Sequence, residues 1–140
     1  MNKNCTDIKQ SMKLMEILPL ESADAYYIRK IADFMGNPVD GKWGDPKFGN
    51  PQQADYIIQN FTSYETIRAW SLAALLEYLR EIDLFPDIID SGDLVLMDTL
   101  YYNNEEGKVL HPMHFFRAEG KTILDAAFET ILKLNELKML

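Results

Sequence analysis

The chain has 140 residues, 47% of them hydrophobic and 26% charged, with a formal net charge of −8. That length suits one domain, 1–140, with a single core, and the longest apolar run, 72–76, falls far short of the roughly 20 residues that span a bilayer. The acidic balance repels phosphate backbones and argues against nucleic acid, while a single cysteine, Cys5, excludes an intramolecular disulfide and suits the cytoplasm.

Thr6 is placed to cap a first helix over 7–18, in which Ile8, Met12, Met15 and Leu18 recur at helical spacing before Pro19 stops the pattern. Cys5, just ahead of it, is expected at a frayed end. Residues 24–35 fit either a helix or a strand, and the run Ala25 to Ile31 favours a strand at the start.

The next stretch, 36–53, holds four of the seven glycines and three of the six prolines, so it is expected to be a long irregular loop. Trp43 and Phe48 are its candidate interaction residues, either plugged into the core or presented to a partner. Asp40, Asp45 and Asn50 supply oxygen atoms without calcium-loop spacing.

Thr62 to Glu65 matches a capping box for a helix running to 82, and the alternative start is Ser71, with Trp70 as a hydrophobic staple on Leu75. Glu77 is the single charge between 72 and 79, so this central helix is expected to be buried on several sides. Segments 87–90, 94–102 and 109–117 then read as three antiparallel strands in a meander, with Pro112 marking an edge or a bulge. Thr122 caps a last helix whose buried stripe is Leu124, Ala127, Phe128, Ile131 and Leu134.

Little of this carries chemistry. His111 and His114 point to opposite faces of a strand unless Pro112 bulges, and a metal would still need Asp98 or Glu119. Ser71 and Ser91 read as cap and turn residues, and no nucleophile elbow or phosphate-binding glycine loop occurs. Helix, three strands, helix is the order of the double-stranded RNA-binding domain, but Asp125, Glu129 and Glu136 occupy the polar face where lysines would meet phosphate.

Two stretches, Ala69-Trp-Ser-Leu-Ala-Ala-Leu-Leu76 and Leu124-Asp-Ala-Ala-Phe-Glu-Thr-Ile-Leu-Lys-Leu-Asn-Glu-Leu137, resemble the paired signatures of a family of small uncharacterised proteins from phages and mobile elements of anaerobic gut bacteria. Leu20 to Tyr27 resembles the segment after that family's first helix, and this resemblance is part of the preference for a strand at the start of 24–35. Arg68 stands where the family has a proline. The resemblance implies the fold and a mobile-element setting, and it brings no catalytic residue.

The sequence therefore describes an α+β domain: an antiparallel three-stranded meander packed against a central and a C-terminal helix, with an N-terminal helix and a long loop. It favours a non-enzymatic accessory protein, without cofactor, that binds another protein through an acidic surface, as a monomer or homodimer. The alternative is a ligand-binding or enzymatic domain with a pocket lined by Asp98, Tyr101, His111 and His114.

Overall fold

The structure, a computed structural model, describes residues 4–49, 53, 55–57, 63–82, 84, 87–90, 93–97, 115–138 and 140. The α+β class holds, and the chain forms two compact units, Asn4–Ser71 and Leu72–Leu140.

The first unit begins with α1, Ile8–Ile17. Its cap is Asp7 rather than Thr6: Asp7 accepts from the Gln10 amide while the Gln10 side chain accepts from the Asp7 amide, a complete capping box. Of the expected stripe Leu18 is buried and Ile8 packs on the core, but Met12 is exposed, and Ser11 and Leu14 are buried without having been expected. Thr6 is released from capping because its hydroxyl is needed elsewhere.

After α1 come β1 (Ala25–Lys30), β2 (Lys47–Phe48) and β3 (Tyr64–Ala69), forming an antiparallel sheet in the order β2-β1-β3. The strand preference at 24–35 is therefore correct for 25–30. Neither β2 nor β3 was foreseen: the capping-box pattern at 62–65 is overridden by pairing, with Ala25 opposite Ala69 and Lys30 opposite Tyr64. Strand residues Thr66 and Ile67 are β-branched, which suits that outcome.

The segment 36–49 is less irregular than its glycines and prolines suggest. It runs antiparallel along the other edge of β1, from the Ala32–Pro38 bridge to the pairs of β2. Between these, the amides of Val39, Gly41 and Gly44 donate to the carbonyls of Ile31, Lys30 and Ile28. Gly41 is required here because a Cβ would lie 2.1 Å from the Lys30 carbonyl oxygen.

Thr6 and Trp70 close the unit. The Thr6 amide donates to the Trp70 carbonyl (2.9 Å), and the Trp70 amide donates back to Thr6 Oγ1 (3.1 Å). Thr6 Oγ1 is also 2.8 Å from Ser11 Oγ, whose hydroxyl donates to the Thr6 carbonyl. The buried Trp70 indole donates to Ser22 Oγ at 2.9 Å.

In the second unit, α2 (Leu72–Glu81) starts at the later of the two expected positions. It is not buried on several sides: Ala74, Leu75 and Leu79 are buried, whereas Ala73, Glu77, Arg80 and Glu81 face solvent. Strands β4 (Asp87–Asp90), β5 (Asp93–Met97) and β6 (Phe115–Glu119) form the expected antiparallel meander. Helix α3 (Ile123–Glu136) packs on β5, β6 and α2. Thr122 caps it by accepting from the Asp125 amide, and its expected stripe from Leu124 to Leu134 is buried.

Thr6→Val keeps the side-chain volume but leaves the buried Trp70 amide without its acceptor. The expected loss is about 1–3 kcal/mol of stability, measured by chemical denaturation, with Thr6→Ser retaining most of it.

Candidate functional site

The best-defined polar cluster lies on the core face of the first sheet. Cys5, Ala25, Tyr27 and Ala69 form a buried apolar group there, flanked by Ile8 and Trp43. Cys5 is thus part of the core and not at a frayed end. Tyr27 donates its hydroxyl to the Thr6 carbonyl at 2.8 Å, and its oxygen lies 3.6 Å from Cys5 Sγ. Burial first, and the hydrogen bond with Cys5 second, push the Tyr27 hydroxyl well above the ordinary tyrosine value of 10.0. Such a group holds its proton and is a poor acid or base at neutral pH.

At the end of β3, the Ser71 amide and hydroxyl both donate to the Asp24 carboxylate. This pair lacks the intervening base that would activate a serine, and its geometry fixes the residue that precedes α2. Arg68 is buried. Its guanidinium donates to Asp55 at 2.7 Å and to the Leu20 carbonyl at 3.2 Å. Among the described residues, no buried side-chain nitrogen or oxygen lacks a hydrogen-bond partner. These groups are consumed in holding the fold.

Trp43 and Phe48, the two loop aromatics singled out from the sequence, have different environments. Trp43 packs on the core cluster, and the Arg29 guanidinium stacks on it at 4.7 Å from the ring centroid. The same guanidinium donates twice to Glu65 Oε2, its partner across β1 and β3, at 2.8 and 3.0 Å. Trp43 is therefore a plug. Phe48 stands opposite Ala25, about 13 Å of strand away from Arg29, and is 50% exposed.

A more exposed apolar group was missed. Beyond β1 the chain turns through Asp33–Gly36, leaving Phe34 and Met35 at 93% and 71% exposure. Gly36 adopts φ +83°, a left-handed conformation that favours glycine. Asp33 organises the turn: Oδ1 accepts from the amides of Met35 and Asn37, both at 2.9 Å, and Oδ2 accepts from Asn37 Nδ2. These bonds, that from the Asn37 amide foremost, hold the Asp33 carboxyl below the usual carboxylate range. The sequence signal was Asp33-Phe-Met-Gly36, an Asx-turn and left-handed glycine pair that a helical reading of 24–35 conceals.

The alternative pocket residues Asp98, Tyr101, His111 and His114 lie outside the described residues. Among those described, no three His, Cys, Asp or Glu side chains converge as a metal ion requires, and no helix is long and apolar enough to cross a membrane. An open groove beside α2 is lined by Ala73, Leu76, Glu77, Arg80 and Glu81, a set with no nucleophile. Charge is uneven along the sequence: 72–140 carries thirteen acidic and six basic residues, against nine and seven in 4–71. No family model matches the chain, and no curated protein or solved structure does so.

Because folded Tyr27 keeps its proton above pH 10.0 while the unfolded chain releases it, its contribution to stability is complete below that pH and lost as pH rises further. Tyr27→Phe is expected to flatten the alkaline fall in stability. Melting temperatures of both proteins from pH 8 to 11 measure the difference.

Proposed function

We propose that the protein is a non-enzymatic accessory module that binds another protein. The observation that supports this most is the turn that carries Phe34 and Met35 into solvent. Neighbouring large apolar side chains left in solvent on an ordered turn are the kind of surface that a partner can cover. Phe48 adds a second, separate apolar contact on the β1 edge. The acidic excess of 72–140 favours a basic partner, whose encounter it would speed. The resemblance of 69–76 and 124–137 to mobile-element proteins agrees with an accessory role, and would make that partner a host protein.

The test is affinity capture with the tagged full-length protein from nuclease-treated lysate of its source organism. A stoichiometric protein partner is expected, released by high salt and lost with the double variant Phe34→Ser, Met35→Ser. That variant should melt within a few degrees of the parent, since it removes only exposed side chains. An empty capture, or one that the variant leaves unchanged at both salt levels, would count against the proposal.

A further inference from the structure

We infer that 38–49 is a strap that closes the free edge of β1 against a second copy of this chain, occupying the hydrogen-bonding groups of β1 while presenting a poor edge of its own. The sequence of β1 shows why a cover is needed. In Ala25-Tyr-Tyr-Ile-Arg-Lys30 the central residues favour strands, and β3 takes one of its two edges. Left bare, the other edge suits an antiparallel partner of the same sequence. Pairing about Ile28 would set Ile28 against itself, Tyr26 against Lys30 and Tyr27 against Arg29, so no like charges would meet. Charge gives this unit little protection, since 4–71 carries nine acidic and seven basic residues.

The strap covers that edge without building a new one. The amides of Val39, Gly41, Gly44 and Gly49 donate to the carbonyls of Ile31, Lys30, Ile28 and Asp24. A regular antiparallel pair exchanges bonds in both directions, whereas these four all run from strap to strand. As a template for a further strand the segment is poor. Pro38 and Pro46 have no amide hydrogen, and Asp40, Lys42, Asp45 and Lys47 stand exposed along it. Its one regular stretch, β2, is two residues long and gives an incoming strand little to pair with.

The test is the mass of full-length variants in sedimentation equilibrium, with slow exchange of the Trp70 amide reporting that the first unit is folded. In Gly41→Val the new Cβ would lie 2.1 Å from the Lys30 carbonyl oxygen, so the strap must leave β1. That variant should sediment at twice the parent's mass or more. Adding Ile28→Lys, which would set two lysines opposite each other, should return it to the parent's mass. Gly44→Ala, where a Cβ meets nothing within 4 Å, is the control and should change neither mass nor melting temperature.

A second variant leaves the strap in place and repairs its outer edge: Asp45→Thr, Pro46→Val and Lys47→Thr together should also raise the mass above the parent's. A folded Gly41→Val protein with the parent's mass would overturn the inference. So would a Gly41→Val dimer that Ile28→Lys leaves intact, because another surface would then be joining the copies. If Gly41→Val loses the slow Trp70 amide, the triple variant decides: self-association of the folded protein supports the strap, and the parent's mass removes it.

Discussion

The first unit depends on the reciprocal pairing of Thr6 and Trp70. One residue lies before the first helix and the other ends the last strand of the sheet, so two backbone hydrogen-bond groups at opposite ends of the unit satisfy each other in the dry interior. The Thr6 carbonyl then serves Tyr27, and the Trp70 indole serves Ser22, so the start of the chain, β1, the turn after α1 and the end of β3 meet at one pair. A buried tryptophan brings a large hydrophobic contribution together with an N–H that must be paired, and Ser22 meets that requirement. Asp24 extends the arrangement by taking both donors of Ser71.

This closure explains why the helix after Trp70 begins where it does. A proline before the tryptophan would be one local way to stop the preceding segment from continuing as helix. Here Arg68 is a paired strand residue, opposite Tyr26, and its cation is held by Asp55 and the Leu20 carbonyl. The break at Ser71 comes from tertiary partners instead of from a proline. A helix from 62 to 82 would have to break the pairing of β3 with β1 and strand the Thr6 and Trp70 amides.

The second unit was largely legible in the sequence because its signals are local. Short strand-prone runs set off by clusters of turn-forming residues gave the meander, and the period-3.6 stripe of α3 with Thr122 as its cap gave the helix and its buried face. In the first unit the deciding contacts are distant in sequence. Thr6 looks like a cap until its hydroxyl is claimed by a residue 64 positions away. The pattern at 62–65 looks like a helix start until Tyr64 and Glu65 find Lys30 and Arg29 across the sheet. The candidate site shows the same divide. Trp43 could be named from composition, but whether it plugs or protrudes turned on Arg29 and the core cluster, and the Phe34–Met35 turn was hidden by an equally good helical pattern.

The path of 38–49 along β1 has a consequence for how this protein can vary. From the Ala32–Pro38 bridge to the Gly49 amide on the Asp24 carbonyl, the segment takes eleven steps while β1 takes eight, so three residues are accommodated as slack between anchored amides. The anchors are sparse, and Gly41 is the position where the two backbones approach too closely for any side chain. The slack is spread, one residue in each of 39–41, 41–44 and 44–47, and since Gly41 ties down the first two, the last interval, from Gly44 to Lys47, is where an added residue could bow outward without disturbing the register of β1 with β3. That seam is a practical place to graft a tag or a reporter peptide.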